Sequence, residues 1–207
     1  MHMNCECGCC HPLWVDWICP LVLMRNIQQS GPTVTAYSHG SSQENICAAA
    51  AKVEWGPFER NRSCSFYGYF KCPAVADLMG LYLAIQMCMT LTQPGDDVTC
   101  LLVVDSLYVY YAIWWDLDYV DGKRNKEIVL LCRSALQSLC NRYMVKVQMI
   151  LLPSLHNKAD LPAKMEREQA CLGLGKQLRG RLGDSNLSRA LSYVVDASEE
   201  EDGNGEL

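Results

Sequence analysis

The segment Leu102-Val103-Val104-Asp105-Ser106-Leu107-Tyr108-Val109 decides the fold. It closes the apolar run Val98–Val104, which is typical of a strand buried on both faces of a sheet. Asp105 follows at the carboxyl end of that strand, the edge where open α/β sheets usually carry their chemistry. Ser106 can cap a helix that continues through Ile113. The segment therefore predicts a buried strand, an acidic group at its end and a helix behind it.

Three strand-like segments precede this strand: Thr33–Ser38, Ile46–Trp55 and Arg62–Phe70. The first and third alternate between apolar and polar residues, and the second is a mostly apolar run. The turn-rich residues 39–45 and the pair Gly56-Pro57 separate them. Three strands joined by short turns predict an antiparallel meander.

Helical spacing then takes over. Apolar residues recur every three or four positions from Pro73 to Leu91, and a second long helix is predicted over Asn125–Asn141. Tyr143–Leu152 reads as a fifth strand, and a last helix is predicted from residue 158 or 160 to about 172. The prediction is an α/β fold in which a five-stranded mixed sheet, three antiparallel strands and then two parallel ones, is flanked by helices.

The chain divides into three parts. Residues 1–31 show no clear periodicity and form a cysteine-rich N-terminal extension, residues 32–168 form the domain, and residues 169–207 form a C-terminal extension. The domain carries thirteen basic and fourteen acidic residues, so no strong basic footprint indicates nucleic acid. The last twelve residues contain six acids and no base, which predicts a disordered tail.

Thirteen cysteines are present, most of those outside the N-terminal extension beside apolar residues. That pattern is typical of reduced cysteines in a core, and it indicates an intracellular protein, cytoplasmic or nuclear. The apolar run Leu13–Met24 is too short to span a bilayer and contains Asp16, so we expect no membrane contact and no signal peptide.

Three carboxylates occupy comparable structural positions. Asp105 ends the buried strand, Asp77 lies near the start of the helix after the meander, and Asp160 lies at the start of the last helix. Carboxylates that meet at one sheet edge repel one another unless cations neutralise them. The set therefore predicts a hard divalent metal, Mg²⁺ or Mn²⁺.

Four motifs in this element order resemble type 1 ribonuclease H domains, especially those fused to reverse transcriptases of retroelements. The opening segment above is similar to the family's apolar strand that ends in Asp-Ser. Residues 75–85 are similar to its acid-Leu helix, with Asp77 where Glu is usual. Residues 156–163 resemble its closing Asn-x-x-Ala-Asp element, one residue shorter. Tyr37-Ser38-His39-Gly40-Ser41 looks like its opening Thr-Asp-Gly-Ser strand. The resemblance spans residues 32–168.

The resemblance implies hydrolysis of RNA in RNA–DNA hybrids by two-metal catalysis, with Asp77, Asp105 and Asp160 as metal ligands and catalytic residues. His39 occupies the position of the family's first aspartate, which bridges both metals. A neutral imidazole offers one lone pair and no negative charge, and it suits Zn²⁺ better than Mg²⁺. The substitution predicts weak or absent nuclease activity. His156 is a weaker candidate for the family's product-release histidine.

The resemblance also implies contacts with nucleic acid. Ser106 follows Asp105, and Ser41 closes the opening motif. The basic cluster Lys123, Arg124 and Lys126 lies where related domains carry basic residues that touch the hybrid backbone. The alternative reading is a non-catalytic nucleic-acid- or protein-binding module, like the connection domains of reverse transcriptases. A polyprotein or reverse-transcriptase neighbour is a further expected partner.

The N-terminal extension contains a second candidate metal site. Cys5, Cys7, Cys9, Cys10 and His11 are dense enough to suggest Zn²⁺. Their spacing is tighter than the paired C-x₂₋₄-C pattern of structural zinc sites, so a cysteine-rich tail without metal is the favoured interpretation.

Overall fold

The structure is a computed structural model that describes residues 20–43, 46–68, 73–93, 97–114, 125–143, 145–172 and 177–182. The elements in chain order are α1 (Pro20–Gln29), β1 (Thr33–Gln43), β2 (Ile46–Trp55), β3 (Phe58–Gly68), α2 (Pro73–Leu91), β4 (Thr99–Val104), α3 (Leu107–Trp114), α4 (Lys126–Tyr143), β5 (Lys146–Leu151), α5 (Asp160–Cys171) and β6 (Gln177–Leu182). A short 3₁₀ helix, Ser154–His156, precedes α5.

The strands form one mixed sheet in the order β5-β4-β1-β2-β3-β6. β1, β2 and β3 pair antiparallel as a meander, while β4 pairs parallel with both β1 and β5. The five strands from β5 to β3 therefore confirm the predicted mixed sheet. β4 lies beside β1 in the sheet, although β2, β3 and α2 separate the two strands in sequence.

The structure differs most from the sequence prediction in three places. β1 continues through Gln43, so the predicted turn at residues 39–45 was largely wrong and His39 lies inside a strand. α1 was not predicted, and its Ile27 packs into the core. β6 falls in the predicted C-terminal extension and pairs parallel with β3, adding a sixth strand to the sheet.

One face of the sheet carries the main core. Val34 and Ala36 of β1 and Ala49 and Ala51 of β2 point to this face, where they pack with α2. α2 is long and apolar enough to cross a membrane by length and composition alone. Most of its side chains are buried against the sheet and α4, which explains its apolar character as that of a central core helix.

The opposite face carries a smaller apolar cluster and the helix α5. Tyr37, Leu101 and Val103 pack with Ile27 of α1 in this cluster. α5 lies across β1, β2 and β3. Since strand residues alternate in direction, His39 and Ser41 point to the same face as Tyr37, towards α5. The topology therefore places position 39 beneath the helix that begins with Asp160.

No disulfide joins the cysteines in the described part of the chain. Cys47, Cys88, Cys100 and Cys132 are buried, as expected of small apolar core residues.

Candidate functional site

Two glycines bring β1 and α2 into close contact beside His39. A Cβ at Gly40 would overlap the backbone of Ala76 and Asp77, and a Cβ at Gly80 would lie 2.7 Å from the carbonyl oxygen of His39. Neither position accommodates a larger side chain without moving backbone. The strand that carries His39 is therefore held directly against the helix that carries Asp77.

Three separate elements contribute the carboxylates. Asp105 follows the last residue of β4, and β4 lies parallel beside β1. Asp77 lies one turn into α2, and Asp160 is the first residue of α5. The structure thus brings together Asp77, Asp105 and Asp160 around His39, as the sequence analysis expected of this edge of the sheet.

The ring of His39 contacts two of these carboxylates. Its Nδ1 lies 2.7 Å from Oδ2 of Asp105, and its Nε2 lies 3.1 Å from Oδ1 of Asp160. The side chains are largely enclosed, with exposed fractions of 14% for His39, 4% for Asp105 and 21% for Asp160. Charge interactions here are consequently less screened than at an open surface.

Asp77 is held by the backbone of β1 and by the side chain of Ser106. Its Oδ1 accepts a hydrogen bond of 2.9 Å from the backbone N–H of Gly40, and its carboxylate also interacts with the Ser106 hydroxyl. The close approach of β1 and α2 that requires glycine at position 40 therefore also gives Asp77 a backbone hydrogen-bond donor.

The two titratable groups at the centre have shifted pKa values. Burial and then the negative charge of Asp105 raise the pKa of Asp77 to about 6, against the opposing effects of the Gly40 N–H, His39 and Ser106. Burial alone would lower the pKa of His39, but the hydrogen bond to Asp105 and the charges of the surrounding aspartates raise it above its ordinary value. Both raised pKa values mean that these groups hold their protons more tightly in the folded site than they would in water.

The start of α5 is fixed to β1 by Asn157. Its side-chain amide donates to the Ser38 carbonyl oxygen at 2.8 Å, and its Oδ1 accepts from the Ala159 N–H at 3.1 Å. Oδ2 of Asp160 lies 2.7 Å from Nζ of Lys164, one turn further along the helix. These contacts place Asp160 over His39, so that its Oδ1 faces the imidazole ring and its Oδ2 faces the Lys164 ammonium.

The cluster meets the requirements of a metal site only in part. His39, Asp77 and Asp105 each offer a ligand atom, and these atoms lie within 4.8 Å of one another, which is compatible with a divalent ion by distance. The hydrogen bonding does not fit a ligand set, because both ring nitrogens face carboxylate oxygens and no nitrogen lone pair is directed at a metal. Mg²⁺ also prefers a complete oxygen shell. As arranged, Asp105 and Asp160 contact the imidazole ring.

The other predicted site residues have varied positions. Ser41 is buried, and its hydroxyl accepts a 3.0 Å hydrogen bond from Arg167. Ser106 contacts Asp77, whereas Lys126 is half-buried at the start of α4 and His156 half-buried in the 3₁₀ helix. The roles of Lys126 and His156 stay predictions. Several candidates lie outside the described residues: Lys123, Arg124, Cys5, Cys7, Cys9, Cys10 and His11.

Three contributors to this site were not predicted from the sequence. Lys164 pairs with Asp160 at the i,i+4 spacing that is readable on any helix. Arg167, seven residues after Asp160, reaches Ser41, and Gly80 admits the backbone of His39. The contacts of Arg167 and Gly80 depend on which faces of α5 and α2 meet β1, so no local sequence pattern predicts them.

No protein-family model and no curated protein matches the sequence. Among solved structures, the chain is similar to the N-terminal RNase H domain of a Mycobacterium tuberculosis protein solved as a fusion with maltose-binding protein, with a TM-score of 0.52 and 15% identity over 69% of this chain and 99% of that one. It is also similar to LC11-RNase H1 in complex with an RNA/DNA hybrid, with a TM-score of 0.50 and 13% identity over 67% of this chain and 99% of that one. The chain therefore has the ribonuclease H-like fold that its motifs indicated.

Proposed function

We propose that this chain is a ribonuclease H-like domain that binds RNA–DNA hybrid, or a related nucleic-acid duplex, and whose hydrolytic activity is impaired. One observation carries the proposal: Asp77, Asp105 and Asp160 converge at the carboxyl edge of a ribonuclease H-like sheet on a histidine. A trio of carboxylates from three elements is unnecessary for the fold itself, so its presence argues for descent from a phosphodiester-hydrolysing site.

The impairment follows from the chemistry of position 39. A bridging carboxylate supplies two oxygens and a negative charge, whereas the His39 imidazole supplies neither. Mg²⁺ or Mn²⁺ chemistry at this edge would need Asp105 and Asp160, whose oxygens contact the ring. Asp77 is one methylene shorter than the family's glutamate. Its carboxylate therefore reaches less far towards a metal ion, which is a second change in the site.

Binding of a duplex would depend on a local basic patch. The domain is nearly neutral, so long-range attraction to a polyanion is weak. Lys164 and Arg167 lie on α5 beside the site, and Lys126 with Lys123 and Arg124 forms a predicted second patch. Origin from a reverse-transcriptase-associated domain, within a polyprotein and inside the cell, is part of the same proposal.

A protein-binding module is the second candidate, favoured by an apolar surface on α5. Leu161 and Met165 are 64% and 50% exposed on the side of the helix opposite the buried Ala163 and Ala170, and the C-cap residue Leu172 is 71% exposed. Exposed apolar stripes of this kind commonly mark protein contacts.

The test combines binding and cleavage. Fluorescence anisotropy at fixed salt would measure the affinity of the native chain for RNA–DNA hybrid, duplex DNA and single-stranded RNA. Cleavage of the hybrid would be followed in Mg²⁺ and in Mn²⁺ with native protein, His39→Asp, and the double variant His39→Asp/Asp105→Asn as a control for contaminating nuclease.

We expect binding without appreciable cleavage by the native chain, and cleavage at least about a hundredfold faster by His39→Asp, since even outer partners of a metal site are worth about 10–100-fold. The double variant should be inactive. Native cleavage as fast as that of His39→Asp would contradict the impairment. Absence of binding to every nucleic acid would favour the protein-binding module.

A further inference from the structure

The position of the His39 ring indicates how this site tolerates three enclosed carboxylates. We propose that the His39 imidazolium is the site's own counter-ion, that it takes the place of a divalent metal, and that the native site binds none. This goes beyond the loss of a ligand, because it assigns the histidine a positive contribution to the domain's stability. It does not depend on whether the domain binds nucleic acid.

The protonated form follows from the geometry of the two ring nitrogens. Nδ1 lies 2.7 Å from an Asp105 oxygen and Nε2 lies 3.1 Å from an Asp160 oxygen. A neutral imidazole has one N–H, so one of these contacts would set a nitrogen lone pair against a carboxylate oxygen. Only the imidazolium has an N–H directed at both carboxylates.

The enclosed carboxylates need a nearby cation. Asp105 is 4% exposed, and Asp77 lies close enough to His39 and Asp105 for ligand atoms of all three to fall within 4.8 Å. Like charges this close and this poorly hydrated strongly destabilise a fold when uncompensated. The His39 ring bridges Asp105 and Asp160, and Lys164 pairs with Asp160 on its other oxygen.

A metal ion and the imidazolium would compete for the same oxygens. An ion bound by Asp105 and Asp160 would have to displace the ring from between them, and positive charge on the ring would repel it. The backbone of His39 cannot shift towards α2 to make room for an ion, because Gly80 packs against its carbonyl oxygen and Gly40 packs against α2. The native arrangement therefore disfavours Mg²⁺, Mn²⁺ and Zn²⁺ alike.

Replacing the histidine should make stability depend on metal. In His39→Asp a fourth carboxylate joins the three, so the variant should unfold at a lower temperature than the native chain in EDTA. Its Tm should rise by about 5 °C or more in millimolar Mg²⁺ or Mn²⁺, as expected for a ligand well above its Kd in a domain of this length. His156→Asp makes the same residue substitution outside the cluster and should show no such rise.

The experiment measures thermal unfolding of the full chain, without nucleic acid, in EDTA, Mg²⁺ and Mn²⁺. Zn²⁺ is left out because the cysteines at positions 5 to 10 offer it thiolate ligands of their own. The native Tm should be the same in all three conditions. A native Tm that rises with either metal by as much as that of His39→Asp would overturn the proposal. So would a folded His39→Asp whose Tm does not respond to Mg²⁺ or Mn²⁺.

Nitrogen NMR of the native chain covers the case in which His39→Asp does not fold under any condition. Near neutral pH, both ring nitrogens of His39 should show the shifts of protonated imidazole. A neutral ring in the folded protein would overturn the proposal. Failure of the hybrid-binding assay would leave these results unaffected, so the two proposals can fail separately.

Discussion

Nδ1 of His39 lies 2.7 Å from Oδ2 of Asp105, although 66 positions separate the two residues in sequence. β1 and β4 pair in parallel, and this pairing sets the end of β4 beside the middle of β1. His39 is the position that departs most from the ribonuclease H pattern, and Asp105 is the position that matches it best. The contact joins the two. The properties of the site can be tested through this pair and its neighbours.

Stability should fall as pH rises from about 5 to about 8. The raised pKa of His39 contributes stability that is complete below the unfolded value and is lost as pH rises through the folded value. The raised pKa of Asp77, about 6, means that the folded site keeps a proton the unfolded chain has released, so ionisation there also costs stability with rising pH. Both effects have the same sign.

We expect a total loss on the order of 2 kcal/mol over that range, measured by urea unfolding at several pH values. The control is the double variant His39→Asn/Asp77→Asn, which keeps a donor towards Asp105 and an acceptor for the Gly40 N–H without either titration. Its stability should vary less with pH. An equal or steeper decline in the double variant would contradict the assignment.

Gly40→Ala should destabilise the domain by about 3 kcal/mol or more, because the added methyl group meets the backbone of α2 and not a flexible side chain. Gly31→Ala is the matched control, since a Cβ there has nothing within 4 Å. Urea unfolding of both variants measures the difference. Similar stabilities for the two would show that β1 and α2 are less closely packed than the structure indicates.

Asn157→Ala should cost about 2 kcal/mol, because the buried Ser38 carbonyl loses its donor and the Ala159 N–H loses its acceptor. It should also shift the ring resonances of His39, since Asn157 fixes the helix that carries Asp160. Asn61→Ala, at an exposed position of β3, should stay within about 0.5 kcal/mol of the native chain. An unchanged His39 spectrum would contradict the positioning role of Asn157.

Glu166→Met should raise the free energy of unfolding by about 1 kcal/mol. Glu166 is buried, its Oε2 accepts from Ser63, and its Oε1 has no hydrogen-bond partner within the described residues. Removing such a group relieves a desolvation penalty, and the exposed Ser63 can bind water instead. The control is Glu168→Met, 67% exposed on the same helix, which should change little. A clear loss of stability in Glu166→Met alone would indicate that this carboxylate has a partner or a function.

Much of the fold was readable locally. The bounds of β2 and α2 agree with the sequence prediction, because Gly56-Pro57 and Pro73 mark their ends and the apolar spacing changes period between them. β1 was predicted too short, since His39–Gln43 is rich in turn-forming residues but pairs fully with β2. Strand pairing outweighed local propensity there.

The site divides in the same way. The sequence by itself determined which residues are acidic, on which element each lies, and that a histidine occupies the first position of the motif. Tertiary structure decided what the histidine does: parallel pairing of β1 and β4 brings Asp105 to Nδ1, and the packing of α5 across the meander brings Asp160 to Nε2. Local spacing cannot encode a contact between elements separated by tens of residues, because such a contact exists only once the sheet and helices have packed.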